Sequence, residues 1–317
     1  MRARHLGAPS FLGGAAIAGL TIVATALLST PTLAQSGRDG QDCVGSRNDR
    51  VVISACSRLL ASGQRDPHNR AITYYNRGLA YFRRKMYEHA ASDYSQSIRL
   101  NPTMATAYYN RAVAYHHMKR YRRAISDYSQ TLGLNSKASL AYYSRGLAYS
   151  AIKDYPKAIA DYNRALEMSP KADPVYYVRG IAHAGMRHYG KAITDFTKAI
   201  TISPDQPNYY GKRALANYRR GAVRDAIKDY SEAIQLKPSE ASFYVQRGRS
   251  FFKLKQYGRS IQDYSQAIKI DPRHNQAYVS RGLAYEKLGR KVRALQDFKR
   301  AVALKKARLR NLRTKKN

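Results

Sequence analysis

Residues 71–104 read AITYYNRGLAYFRRKMYEHAASDYSQSIRLNPTM, and six more copies of this pattern follow without insertion or deletion up to Arg308. Each copy begins 34 residues after the one before it. A unit of this length cannot bury its own apolar face, so neighbouring copies must stack against one another. Such a stack offers surface rather than a catalytic pocket. The period therefore points to a binding scaffold.

Numbering the places in a copy from one to 34 exposes the fixed positions. Place four is always Tyr, from Tyr74 to Tyr278, and place eight is always Gly or Ala. Place twenty is Ala except at Ser260, and place twenty-four is aromatic from Tyr94 to Phe298. Pro102, Pro170, Pro204, Pro238 and Pro272 close five copies. Places four, seven, eight and eleven share one face of a 3.6-period helix, and places twenty, twenty-four, twenty-seven and twenty-eight share one face of a second. The small residues at eight and twenty let the two helices approach, and rings at four and twenty-four are expected to fill the remaining space. Pro cannot extend the second helix and restricts the residue before it.

This pattern resembles the tetratricopeptide repeat, with its aromatic at four, small residue at eight, Tyr near eleven, Ala at twenty, aromatic at twenty-four and closing Pro. Departures are local: Ser136 and Lys306 replace Pro, and His183 and Asn217 stand where Tyr is usual. The resemblance implies an all-α, right-handed superhelical solenoid of seven helix-turn-helix hairpins at 71–104, 105–138, 139–172, 173–206, 207–240, 241–274 and 275–308. A disulfide-bearing cap is expected before them and a basic helix or tail after them.

Place seven is Arg and place twenty-three is Asp in every copy, from Arg77 with Asp93 to Arg281 with Asp297. Both border the packed faces. The planar guanidinium can hold a carboxylate through two hydrogen bonds, so a partly buried ladder of pairs is expected. The competing reading is a row of sites for acidic ligands.

Residues 1–34 do not belong to the repeats. Arg2, Arg4 and His5 precede an uncharged stretch from Phe11 to Leu28, then Pro31 and Thr32-Leu33-Ala34. That is the layout of a secretory signal cleaved before Gln35, placing the chain in a bacterial periplasm. The alternative is an uncleaved membrane anchor. Residues 35–70 carry the only two cysteines, Cys43 and Cys56, which in an exported chain read as a disulfide. Residues 52–60 look like the second helix of a repeat whose first helix is missing. The segment also resembles the cysteine-bearing start of exported bacterial tetratricopeptide proteins. Residues 303–317 hold seven Lys or Arg and no acid, and 309–317 form a basic tail or a short capping helix.

The formal charge is +35. Places thirteen to twenty, which span the turn between the two helices, carry 21 Lys or Arg against three acids. Examples are Arg83-Arg84-Lys85, Lys119-Arg120 with Arg122-Arg123, Arg219-Arg220, and Lys287 with Arg290-Lys291. Solvation explains charge but not this bias in sign. Equivalent turns of stacked hairpins lie about 8–10 Å apart, within reach of one another's fields at a screening length of about 8 Å. A basic ridge for an anionic polymer or membrane surface is therefore a second functional reading. Nucleic acid is disfavoured, since no base-reading motif accompanies the charge.

The resemblance also implies a groove lined by first helices, at places two, five, nine and twelve. Place five is Tyr75, Tyr109, Tyr143 and Tyr177, then Gly211, Val245 and Val279; place nine is aliphatic except for Arg249; place twelve includes Phe82 and His116. The family's cationic clamp for a terminal carboxylate is not reproduced at those places, although Asn76 and Asn110 remain as backbone-binding amides. Rigid tyrosines suit a peptide or protein segment, though some of these rings are expected to pack on the adjacent repeat instead. No phosphate loop, nucleophile elbow or paired zinc-binding His is present. The expectation is a non-enzymatic scaffold without cofactor or metal, binding a protein or peptide in its groove. Neither the partner nor the oligomeric state follows from the residues.

Overall fold

In the computed structural model, residues 37–63 and 66–314 are described, together with the side chains of all but 308, 309 and 311–314 among them. The expected signal, its cleavage point and the alternative anchor lie outside these residues. The described residues form sixteen α-helices and no strand, in two compact units that meet in sequence at Pro170 and Lys171.

The first unit opens with a short hairpin, α1 (Gly37–Gly45) and α2 (Asp49–Ala61). Three repeats follow: α3 (Pro67–Arg83) and α4 (Tyr87–Leu100), α5 (Ala105–His117) and α6 (Tyr121–Leu134), α7 (Ser139–Ala151) and α8 (Tyr155–Met168). The second unit holds α9 (Asp173–Gly185) and α10 (Tyr189–Ile202), α11 (Pro207–Arg220) and α12 (Val223–Leu236), α13 (Ala241–Lys253) and α14 (Tyr257–Ile270), and α15 (Asn275–Lys287) and α16 (Lys291–Thr314). Within each unit a first helix packs on its own second helix and on the second helix of the hairpin before it.

The turn inside each hairpin has one geometry. Place fifteen is left-handed throughout, and place sixteen donates its N–H to the carbonyl of place eleven, as in Met86 to Tyr81 at 2.9 Å and Arg290 to Tyr285 at 2.9 Å. That closure satisfies carbonyls the first helix would leave open. Gly221 and Gly289 adopt it without strain, yet the other five copies place Lys85, Lys119, Lys153, Arg187 and Lys255 there, with φ of 59–64°. A side chain in this conformation costs about 1 kcal/mol relative to Gly.

The closest approach between helices is at place eight. A Cβ on Gly146 would lie 2.5 Å from the Tyr162 ring, and one on Gly78 would lie 2.8 Å from that of Tyr94. The ring at place twenty-four is fully buried at Tyr94, Tyr128, Tyr162, Phe196 and Tyr264, worth roughly 2–3 kcal/mol each. Place four behaves otherwise. Apart from Tyr244, its tyrosines are only half-buried, and each ring lies 5.4–5.8 Å from the guanidinium carbon of the Arg three residues on. They stack on the ladder, and Tyr108, Tyr142 and Tyr210 also pack against the margin of the core.

The ladder itself is present in all seven repeats. Arg77 donates from Nε and Nη2 to both oxygens of Asp93 at 2.8 Å, and every later Arg does the same to the Asp sixteen residues on. The carboxylates are buried and the guanidinium groups about a fifth exposed. Nη1 of Arg77, Arg111 and Arg145 reaches Ser57, Ser95 and Ser129 on the preceding second helix, and Arg213, Arg247 and Arg281 reach Thr197, Ser231 and Ser265. Where a polar residue replaces Tyr at place eleven, it also turns to the carboxylate: Asn217 donates to Asp229 at 3.1 Å, and His183 lies 3.8 Å from Asp195.

The near end differs from expectation. The half-repeat before Ala71 is a whole, short hairpin: α1 supplies the first helix, and Cys43 on α1 is bonded to Cys56 on α2. Both cysteines are buried with Val52, Ala55 and Leu59. Closing so short a loop is worth about 3 kcal/mol in the chain-entropy model, which suits a hairpin with too small a core to hold itself. Ser57 meets Arg77 twenty residues on rather than sixteen because α3 begins one turn early, at Pro67 capped by Asp66. At the far end, with Lys306 in place of Pro, α16 runs on unbroken to Thr314, so the basic segment is helical at least that far.

Asp161→Asn leaves the Arg145 guanidinium without its counter-charge. We expect a loss on the order of 3 kcal/mol, read as a lower urea midpoint; an unchanged midpoint would show that the ladder is not a stabilising element. His116 gives a pH signature. Burial holds its folded-state pKa near about 4, against 6.5 unperturbed, so the stability it lends is full above pH 6.5 and falls away as the pH drops toward 4. Between pH 7 and pH 5 the cost is about 2 kcal/mol, and His117, also shifted down by burial, acts in the same direction. His116→Phe should flatten that slope in urea titrations.

Candidate ligand-binding faces

Three of the four tyrosines at place five are not open rings. Tyr75, Tyr109 and Tyr177 are buried. The Tyr75 hydroxyl accepts from Asn110 Nδ2 at 2.8 Å, and the Tyr109 hydroxyl shares a 3.1 Å hydrogen bond with Ser144, each on the next first helix. Tyr177 packs at a tilt against Tyr209, ring centroids 4.7 Å apart. Burial pushes the phenols of Tyr109 and Tyr177 up to about 12. These side chains staple adjacent hairpins, and the tetratricopeptide groove they were expected to line is correspondingly narrower in aromatic surface.

The same packing accounts for Gly211 at place five of the fifth copy. A Cβ there would lie 2.7 Å from the ring of Phe243, which comes from the next first helix and fills the tyrosine's space. It also accounts for Asn76. Asn110 is satisfied by Tyr75, but no tyrosine stands at the equivalent place before Asn76, and its buried Nδ2 has no partner among the described residues. His116 lies edge-on to Tyr121 at 5.1 Å, and Phe82 packs against Tyr87 and His117 at 5.4 Å each. Half-exposed on the inner-face places of α3, α5 and α7, besides Phe82 and His116, are Ile72, Leu79, Thr106, Leu140, Tyr143, Leu147 and Ser150, beside Asn76.

The turn cations Arg83, Arg84, Lys85, Lys119, Arg120, Arg122, Arg123, Arg219, Arg220, Lys287, Arg290 and Lys291 are all exposed. The two units treat them differently. In the first, Arg83 pairs with Asp49, Arg120 with Glu88 and Lys157 with Asp154. In the second, no turn cation has a carboxylate within 4 Å among the described residues. An open cleft of about 440 Å³ lies on that edge, lined by Arg187, His188, Tyr189, Gly190, Lys191 and Arg220.

A third grouping escaped the sequence pattern because its members occupy different places in two copies. Around Tyr218, on the last turn of α11, stand the guanidinium of Arg249 at 5.8 Å and the ammonium of Lys253 at 4.8 Å, both from α13. On α11 itself, burial and the neighbouring charge of Arg219 lower the pKa of Lys212. Arg249 interrupts an otherwise aliphatic place nine, which was the available signal. Among the described residues, no three His, Cys, Asp or Glu side chains gather as metal ligands do.

Comparisons with known proteins agree with this geometry. Models of the tetratricopeptide repeat match residues 71–104, 105–137, 139–171, 177–241 and 276–308, and a TPR repeat model matches 248–289. No curated protein matches the chain. Among solved structures, the C-terminal part of a TPR repeat-containing protein from Cytophaga hutchinsonii superposes with a TM-score of 0.64 at 18% identity, over 73% of this chain and 95% of that one. A tetratricopeptide repeat protein from Parabacteroides merdae gives 0.60 at 19% identity, over 74% and 93%. YrrB, described as a TPR protein with an unusual peptide-binding site, gives 0.51 at 20% identity, over 59% and 96%. These likenesses speak to the fold, and with repeat matches across most of residues 71–308 the chain belongs to the tetratricopeptide repeat proteins.

Proposed function

We propose that this protein is a non-enzymatic scaffold of the cell envelope that binds a peptide or protein segment along the first helices of its first unit. The observation that carries the reading is the half-exposed strip of Leu79, Tyr143 and Leu147 beside the unpartnered Asn76 amide. Buried donors without partners are rare in folded proteins. A ligand carbonyl at Asn76 would stand where the Tyr75 hydroxyl stands for Asn110, while aliphatic side chains settle on the leucines. The peptide-binding site in the YrrB description supports the same kind of use. Export to the periplasm is part of the proposal and rests on residues 1–34 alone.

Peptides selected from a random library against the purified protein should bind with little change between low and physiological salt. Leu147→Gln should weaken them several-fold at an unchanged melting temperature, and Leu79→Gln, whose side chain also packs on the core beneath it, should weaken them further with some loss of stability, since hot-spot contacts are central and apolar. Selected peptides indifferent to both substitutions would refute this face as the site.

A second reading, attraction of an anionic polymer or membrane surface to the turn edge, is favoured by the five left-handed cations. Gly would hold that corner at lower cost, yet five copies keep Lys or Arg there. Affinity for phosphatidylglycerol vesicles should then fall steeply with salt. Replacing Arg187, Lys191, Arg220 and Lys255 by Gln should cost more than replacing four exposed cations on the second helices, such as Lys198 and Lys228. Equal losses in the two variants would reduce the edge to general solubilising charge.

A further inference from the structure

The second helix of the last repeat, α16, has no hairpin stacked on it. Places twenty-one and twenty-eight of the second helices carry Ala, Ile, Leu or Val in every copy. Wherever another hairpin follows, these residues are buried or half-buried, as at Ile98, Leu132 and Ile261. On α16 the same places hold Leu295 and Val302, each 54% exposed, and Val292 stands three residues before Leu295 at 73%. Place eighteen is Glu, Arg, Pro or Gly in the other copies, so Val292 lengthens an apolar strip that stacking does not use. Terminal units of a solenoid usually turn a polar face outward. This one does not.

Place twenty-five lies on the same strip, four residues after twenty-one and three before twenty-eight. There the array keeps Ser or Thr in five copies and Asn163 in one. Ser95, Ser129, Thr197, Ser231 and Ser265 each accept a hydrogen bond from the place-seven Arg of the next repeat. In α16 the place is taken by Lys299, which is exposed and has no carboxylate within 4 Å among the described residues. That one change alters what the face can receive. A further hairpin of this chain's own kind would bring an Arg against Lys299, and two cations covered together repel strongly. An antiparallel pair of α16 helices, Leu295 of one on Val302 of the other, would centre on two Lys299 ammonium groups.

We infer that the outer face of α16 docks an amphipathic helix of another protein, one carrying Asp or Glu where the first helices of this chain carry Arg. Aliphatic residues a turn to either side of that acid would cover Leu295 and Val302, and its carboxylate would take Lys299. Docking removes water from the ammonium group, and a covered cation left unpaired is costly whereas an exposed one is not. The surroundings have the same sign: Lys291, Arg300, Lys305 and Lys306 of α16 are exposed and would steer an acidic partner inward. This face belongs to a second helix of the last repeat, so its test is separate from that of the first-helix face around Leu147.

The test uses the purified protein and three stapled helical peptides, alike in their leucines and differing at one central residue, Glu, Gln or Arg. The Glu peptide should bind at least about tenfold more tightly than the Arg peptide. Lys299→Ser, which restores the hydroxyl of other repeats, should abolish or reverse that order. Leu295→Gln with Val302→Gln should weaken all three peptides at least about tenfold. All three side chains are exposed, so the melting temperature should be kept. Equal binding of the Glu and Arg peptides, or a preference that survives Lys299→Ser, would overturn the inference. So would a Glu peptide that fails to bind while Leu295→Gln with Val302→Gln abolishes self-association in sedimentation or binding to phosphatidylglycerol vesicles, since the face would then serve a second copy or a membrane.

Discussion

One guanidinium per repeat ties the fold together. Each Arg at place seven gives two donors to the Asp of its own second helix, and in six repeats a third goes to a hydroxyl on the preceding second helix. Closing a hairpin and stacking it on its neighbour are therefore acts of the same side chain. The place-four ring lies 5.4–5.8 Å from the guanidinium carbon in every repeat, a cation–π contact in a partly desolvated setting. A burial cost that would make a lone Asp intolerable is offset because the carboxylate is held at two points. This explains why the 34-residue period tolerates no insertion. One added residue would turn the Arg about 100° around its helix and strand three hydrogen bonds at once.

The sequence made the hairpins, the small residues at eight and twenty and the ladder legible, because each rests on a spacing within one copy. It left open which tyrosines at place five pack on the adjacent repeat, and it did not separate the fully buried rings at twenty-four from the half-buried ones at four, for a physical reason. Adjacent residues on a helix differ by about 100°, and both lie near the boundary between the hairpin's own core and the surface met by the next hairpin. Which of the two is buried depends on where that next helix sits, and periodicity within one copy does not contain that fact. The exchange of a tyrosine at place five for Phe243 opposite Gly211 was hidden likewise, since the compensating residue lies 32 positions away. The short α1 was missed because its GRDGQDCVG sequence offers only Cys43 and Val44 as apolar residues beside three glycines; the disulfide, rather than an apolar stripe, holds it.

Charge was legible as a total and along the turns, but not in its compensation. Of the 21 acidic residues, a third are buried in the ladder, which leaves few to neutralise the surface. In the first unit, Asp49, Glu88 and Asp154 find turn cations. The second unit has Asp225 in its turns and no such pairs among the described residues. Sequence counting gives the two edges a similar sign, while the pairing gives them different fields.

Exposed cations nevertheless make a weak argument for a specific site. Their mutual repulsion and their attraction for a ligand are both screened over about 8 Å of physiological salt, and an exposed ion pair is worth about 0–1 kcal/mol. A partly buried cation is different, because the solvent that would screen it is partly excluded and its charge must be met by protein or ligand. By that criterion the twelve turn cations of the second unit, all exposed, are the weaker kind of argument, and the buried ladder is where charge is held most firmly. The degree of desolvation, more than the number of positive charges, marks where an anion gains most by binding.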